Sequence, residues 1–293
     1  MYILSMDFGS TNLKAIVLKI HNNDKETNIE LVGKVRIKTT DFALFISEII
    51  DKYKFSIDEI EKIVATGTGS SFLDDKFRGI EIIKINEFHA IAYGGLLLSN
   101  NEKGNIVSIG TGTTIVYSDM REIRRLGGTG LGGGALVGLG KAILSKENDE
   151  NNELANFDNL IFMAKSGNKN NVDLLIGDIS KENIDNMTKD ITAANFAALY
   201  KNAKPEDYIA ATLNMILENI SLLVNALHKK GEPIIYIGTM VSDNYVKRSL
   251  QKIAEYTGDD IQFVENSEYA IAIGAWEYFL LNIGYHEKLI KYD

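Results

Sequence analysis

Three glycine turns in this chain carry hydroxyl groups, and the first also carries charge. In Asp7-Phe8-Gly9-Ser10-Thr11-Asn12-Leu13-Lys14 a carboxylate opens the turn and an amine closes it. Exposed backbone N–H groups and hydroxyls in such a turn can wrap a phosphate, and Lys14 adds a point charge. Asp7 can hold Mg²⁺ through water, because Mg²⁺ keeps several waters and takes few protein carboxylates. Gly110-Thr111-Gly112-Thr113 has the same build, and Gly238-Thr239 is a shorter third case. No turn ends in Gly-Lys-Ser/Thr, so none is a Walker-type loop. Together the turns point to phosphate chemistry.

A second feature is Arg124-Arg125-Leu126-Gly127-Gly128-Thr129-Gly130-Leu131-Gly132-Gly133-Gly134, where eight glycines fall within positions 127–140. Each glycine inside a helix or strand costs roughly 0.5–1 kcal/mol relative to alanine. Such a run persists where backbone must approach something closely, most often a phosphate. Leu126, Leu131, Leu136, Val137 and Leu139 interrupt it and argue against a flexible linker. Beside the two hairpins, the run suits phosphate less well than the start of a helix packed against a nucleotide.

The elements around these turns follow from periodicity. Tyr2–Met6 and Lys14–Ile20 read as strands flanking the first turn, with a third over Ile29–Ile37. Phe42–Lys54 has apolar residues at helical spacing. Ile63–Thr66 reads as a strand entering Gly67-Thr68-Gly69, and Ile80–Ile85 as one reaching Asn86-Glu87-Phe88 before a helix over His89–Leu98. The strand–turn–strand pattern then restarts at Asn105–Ile109 and Thr114–Tyr117, an internal duplication of architecture. Pro233–Ile237 supplies another strand ending at Gly238-Thr239, and open α/β sheets bind ligands at such carboxyl ends. Helices are expected around Leu160–Ala164, Asn195–Leu199 and Ile209–Leu227, with a last one that starts near Ala270 and holds Trp276–Leu281. The polar stretch Lys146–Asn159 reads as a loop or an exposed helical edge.

Composition narrows the field. The chain has 293 residues, 45% apolar and 24% charged, enough for one large or two medium domains. It contains no cysteine, which excludes disulfides, iron–sulfur clusters, thiolate zinc sites and a cysteine nucleophile. Its four histidines (His21, His89, His228, His286) show no metal-ligand spacing. A net charge of −9 argues against nucleic-acid binding. No apolar run is expected to span a membrane, and the N-terminus reads as a buried strand with no signal peptide, so a cytoplasmic protein is expected.

The hairpins resemble the actin–hexokinase–Hsp70 class, whose two related α/β domains, of duplicated ribonuclease-H-like fold, clamp ATP in the interdomain cleft. Narrower likeness comes from Arg125–Gly134 with Gly138-Leu139, which resembles the signature of type II pantothenate kinases. Asp7–Thr11 with Lys14, Glu87-Phe88, Met163-Ala164, Asn171–Leu175, Thr192–Phe196 and Tyr236-Ile237-Gly238 fit the same family in order. Ser10 departs from it, standing where a second glycine is usual.

The resemblance implies ATP-dependent phosphorylation of pantothenate, opening coenzyme A synthesis, with pantetheine as a further candidate substrate. It implies Glu87 as the catalytic base and Arg125 as the stabiliser of substrate and transition state. Thr111 and Thr114 would share in binding substrate. Asp7, Phe8, Gly9, Ser10, Thr11, Asn12, Leu13, Lys14, Thr111, Gly133, Gly134, Ala135, Leu136, Val137 and Thr239 would contact ATP, with Mg²⁺ on Asp7 through water. Domains over 1–103 and 104–293 and a homodimer, with no nucleic-acid or membrane partner, are expected. The rivals are a sugar or amino-sugar kinase of the same fold and a non-catalytic, ATP-responsive regulatory protein. An activator carrying an iron–sulfur cluster is excluded by the absence of cysteine.

Overall fold

The computed structural model describes residues 1–9, 11–23, 26–119, 121–145, 154–181, 188–198 and 202–284. The first half of the chain runs β1 (Tyr2–Phe8), β2 (Leu13–Asn23), β3 (Glu26–Ile37), α1 (Phe42–Tyr53), β4 (Ile60–Thr66), β5 (Lys76–Phe77), β6 (Ile80–Lys84) and α2 (Glu87–Ser99). After it come β7 (Gly104–Ile109), β8 (Thr113–Ser118), β9 (Ile123–Thr129), α3 (Gly133–Leu144) and α4 (Phe157–Ser166). Then β10 (Leu174–Leu175), α5 (Ile176–Ile179) and β11 (Thr192–Ala194) form a small ribbon with its short helix. The chain closes with α6 (Pro205–Leu227), β12 (Ile234–Ile237), α7 (Asn244–Thr257), β13 (Ile261–Phe263) and α8 (Ala270–Phe279).

The duplication is visible in the sheets. The first is ordered β3-β2-β1-β4-β6-β5 and the second, read from its other edge, β9-β8-β7-β12-β13. In each, three antiparallel strands joined by turns are followed by two parallel ones. Both parallel additions are reached by crossovers, as parallel pairing requires. Apart from β5, an extra antiparallel strand at the edge of the first sheet, the order and directions match, although the sequences do not.

Alternation along the strands divides the interior. Ile3, Ile16 and Leu18 of the first sheet share a core with Ile106, Val116, Ile235 and Ile237 of the second. α2 and α8 fill the space between, with Trp276 fully buried. Leu4, Met6 and Phe8 take the opposite face of β1 and pack on α1. Val107 and Ile109 point away from the shared core, toward α6.

Where α2 and α8 cross, their backbones touch. A Cβ on Gly94 would overlap the Ala270 carbonyl, and one on Gly274 would overlap that of Ala90. Gly274→Val is therefore expected to destabilise the fold by about 1–3 kcal/mol through overpacking. Thermal unfolding checks this, and an unchanged melting temperature would refute the close crossing.

Two expectations need correction. α6 is long and apolar enough to cross a membrane. More than half of its apolar stretch is buried, so its apolarity serves the core under α3, α4 and α7. No helix forms over 195–198: β11 pairs antiparallel with β10, and Phe196 has a left-handed φ of 60° that stops a helix. Asp173 Oδ1 accepts the Phe196 N–H at 2.9 Å and holds that turn; Leu199 lies outside the described residues. The polar segment before 160 ends, as an exposed helical edge was expected to, in the start of α4 at Phe157, with Asn156 accepting the Asn159 N–H at 3.0 Å as its cap. Residues 146–153 of that segment lie outside the described ones.

Candidate active site

The period of two along β1 decides where its charged end points. Ile3 lies in the core between the sheets, and Ser5 Oγ donates to the Ala272 carbonyl of α8 at 2.7 Å. Asp7 continues that face and emerges where α2 begins. In β7, Ser108 follows Ile106 on the equivalent face. These ends open into a cavity of about 1320 Å³ that both hairpins line. The hairpins touch across it, Thr11 Oγ1 lying 3.0 Å from Thr111 Oγ1.

Most residues singled out from sequence meet here. Asp7, Gly9, Thr11, Asn12, Lys14, Glu87, Thr111, Thr114, Arg125, Gly133, Gly134, Val137 and Thr239 all line the cavity. Phe8 and Leu13 do not; their side chains are buried in the core under α1. Leu136 is fully buried in the core of the second half, and Ala135 packs against that core. In both segments adjacent residues diverge, one facing the cavity and the next the interior. Ser10 lies outside the described residues. Sequence reading missed Arg36 and Lys38 on and just beyond β3, Thr68, Ser108, Lys141 on α3, and the Asn156–Asp158 entry to α4. No glycine turn marks Arg36, Lys38 or Lys141, whose place depends on β3 and α3 lining one cavity.

The electrostatics are those of acids held in a dry place. Asp7 and Lys14 face each other across the β1–β2 pair at 3.6 Å, both buried. Burial pushes the Asp7 carboxyl above its ordinary range, against the charge and hydrogen bond of Lys14. Glu87 opens α2, where Asn86 Oδ1 caps the Phe88 N–H at 2.9 Å. Burial raises the Glu87 carboxyl, the charge of Asp7 raises it further, and a Thr68 hydrogen bond opposes both. Two carboxylates with raised affinity for protons, only one of them paired with a lysine, suit an added cation. Among the described residues no group of three or more His, Cys, Asp or Glu could cage a metal. Mg²⁺ binds one or two carboxylates together with phosphate oxygens and water, so Asp7 at the cavity is the residue that would hold it.

Arg125 reaches the cavity through a bulge. β8 and β9 pair regularly from Thr113↔Thr129 to Ile115↔Gly127, then slip so that Val116 faces Arg125 instead of Leu126. Val116 belongs to the core between the sheets, so the extra residue turns Arg125 to the cleft side. Without the slip, Arg125 would pair with Tyr117 and point the other way. Gly128 leaves room for it: a Cβ there would stand 3.2 Å from Arg125 Nη2 and 2.5 Å from the Thr113 carbonyl. The guanidinium also sits 6.0 Å from the centre of the Phe88 ring, beside Glu87.

The glycine run divides into β9, a turn and α3. The Gly133 N–H donates to the Gly110 carbonyl at 2.8 Å and the Gly134 N–H to that of Thr111 at 2.9 Å. A Cβ on Gly132 would stand 2.6 Å from the Thr111 carbonyl, and one on Gly134 2.6 Å from Thr111 Cγ2. The close partner of this backbone is therefore the second hairpin. Its glycines seat α3 directly on the turn, and Val137 and Lys141 reach the cavity from the same helix.

Residues 104–277 match the family model described as Fumble. A type II pantothenate kinase of Oceanobacillus iheyensis is 33% identical over 219 residues, 71% of this chain and 79% of that one. The chain belongs to the type II pantothenate kinase family. A second member, from Staphylococcus aureus, is 30% identical over 74% of this chain and 82% of its own. Among solved structures, the activator of 2-hydroxyisocaproyl-CoA dehydratase from Clostridium difficile, with bound ADPNP, superposes at a TM-score of 0.62. It shares 20% identity, over 95% of this chain and 94% of that one. A ROK family glucokinase from Streptomyces griseus, in complex with glucose and AMPPNP, gives 0.53 at 14% identity over 94% and 98%. At these identities the two structures speak for the fold alone, which is that of the actin/hexokinase-like ATPases.

Proposed function

We propose that this chain transfers the γ-phosphoryl group of ATP to the primary hydroxyl of pantothenate. The reading rests on one observation: two hydroxylated hairpins, a raised carboxylate and an arginine line one cavity in a chain of this family. Thr11, Thr111 and the hairpin N–H groups receive the phosphates, and Lys14 contributes charge from below. Mg²⁺ on Asp7 through water would neutralise phosphate charge. Glu87 accepts the hydroxyl proton, and its raised carboxyl is a better base than an ordinary one. Arg125 stabilises charge on the transferred group, where positioning and electrostatics carry most of the catalysis. Thr114 and Arg125 hold the acceptor end, and Gly133, Gly134, Val137 and Thr239 border the nucleoside.

We place the two lobes at 1–103 and 104–293, with α8 of the second returning to α2 of the first. A homodimer in the cytoplasm completes the reading. The test is ATP consumption with pantothenate, pantetheine, glucose and N-acetylglucosamine in parallel. Pantothenate-dependent ADP release is expected, with none for either sugar. Sugar phosphorylation without pantothenate turnover sinks the assignment.

A further inference from the structure

We propose that Arg36 is a positioning residue for the phosphoryl transfer. It acts as a strut that ties β3 of the first sheet across the cleft mouth to the wall formed by Gly238 and Thr239. Its guanidinium lines the cavity and engages carboxylates on two elements of the second half. Nη1 donates to Glu268 Oε2 at 3.1 Å, and Nη2 stands 3.7 Å from Asp158 Oδ2 in the first turn of α4. Two residues earlier, Lys34 Nζ donates to Asn266 Oδ1 at 2.8 Å. The period of two puts Lys34 and Arg36 on one face of β3, so successive side chains of that face clasp the 266–268 turn.

That turn carries the nucleoside wall. The Ser267 carbonyl accepts the Gly238 N–H at 2.9 Å, and its hydroxyl donates to the Gly238 carbonyl at 3.4 Å. Gly238 has a φ of +104°, and a Cβ there would stand 2.5 Å from the Ile109 carbonyl. The wall thus has no slack against β7, and Thr239 and Met240 continue it along the cavity. On the far side, Tyr53 braces the strut: its hydroxyl donates to the Lys34 carbonyl at 3.3 Å, and its ring covers Gly33, where a Cβ would overlap it. The path from β3 to the nucleoside wall therefore runs Arg36, Glu268, Ser267, Gly238. A lysine cannot span it equally, because a point charge does not engage two carboxylates as a planar fork does.

The proposal rests on the kinase reading. Steady-state kinetics with ATP and pantothenate, direct ATP titration calorimetry and thermal melts are compared for the unsubstituted protein, Arg36→Met, Arg36→Lys, Glu268→Gln and the Arg36→Met/Glu268→Gln pair. Arg36→Met is expected to raise the KM and Kd for ATP about three- to tenfold at an unchanged melting temperature, with partial recovery in Arg36→Lys. Glu268 does not line the cavity, so a rise of similar size in Glu268→Gln reads the strut and not a direct contact. The pair of substitutions is expected to add nothing beyond Arg36→Met. Unchanged ATP affinity in Arg36→Met overturns the proposal. So does a wild-type Glu268→Gln, or a loss that only tracks a lowered melting temperature. Absence of pantothenate-dependent turnover in the unsubstituted protein is a failure of the kinase reading instead, and ATP affinity still reads the strut.

Discussion

Glu87→Gln is expected to lower kcat by about 10²–10⁴-fold while leaving ATP affinity nearly unchanged. The substitution keeps the size of the side chain and removes only its ability to take a proton. In the unsubstituted protein, kcat/KM should fall as pH drops through the raised Glu87 value, because protonation then occupies the base. The same shift has a stability consequence of opposite use. Folded Glu87 holds its proton to higher pH than the unfolded chain, whose ordinary value is 4.5. Its favourable contribution is therefore complete below that value and is lost as pH rises through the raised one. Glu87→Gln does not titrate, so its melting temperature should exceed that of the unsubstituted protein at neutral pH. The gap should close toward pH 4.5. Full turnover in Glu87→Gln removes this residue from the proposed role, and a lower melting temperature at neutral pH contradicts the charge burial.

Lys14→Met is expected to be the most damaging single change to stability at the site. Asp7 and Lys14 are both buried, with side chains 7% and 8% exposed, and form an ion pair at 3.6 Å. Removing one member of a buried pair typically costs about 3–5 kcal/mol, because the other charge is left unpaired. Glu87 adds to the strain, since its charge repels that of Asp7. Asp7 is expected to escape by taking up a proton, so the loss should be largest at neutral pH and smaller in acid. A second change, Asp7→Asn, should return much of the stability and none of the activity. Urea unfolding of the two variants at pH 5 and pH 7.5 checks this. Wild-type stability in Lys14→Met, or no recovery in the double variant, would show that the pair is not what holds this corner.

Much of the fold was legible because its signals are local. β1, β7 and β12 are short apolar runs that end in glycine turns, and period-two and helical patterns report directly on which face is buried. α7 was equally legible and was overlooked: Asp243 caps it, Gly258 ends it with a φ of 71°, and Val246 and Leu250 mark its buried side. The C-terminal helix was found, but not its partner, since the crossing of Gly94 and Gly274 joins residues 180 positions apart. The region over 195–198 was misread because its two alanines favour a helix on their own. There the Asp173 carboxylate, distant in the chain, holds Phe196 in a left-handed turn.

The site divides in the same way. Sequence by itself determined the two hairpins and the placing of Asp7 and Lys14 at the ends of the first, because each depends on neighbours within a few residues. The tertiary structure alone decided which way Arg125 points, since one slipped residue in the β8–β9 ladder reverses the side-chain face. It also decided what the glycine run approaches, namely the backbone of Gly110 and Thr111. The reach of Arg36 to Asp158 and Glu268 likewise required the folded chain. Register and contacts between distant elements arise from packing of the whole chain, and no local pattern encodes them.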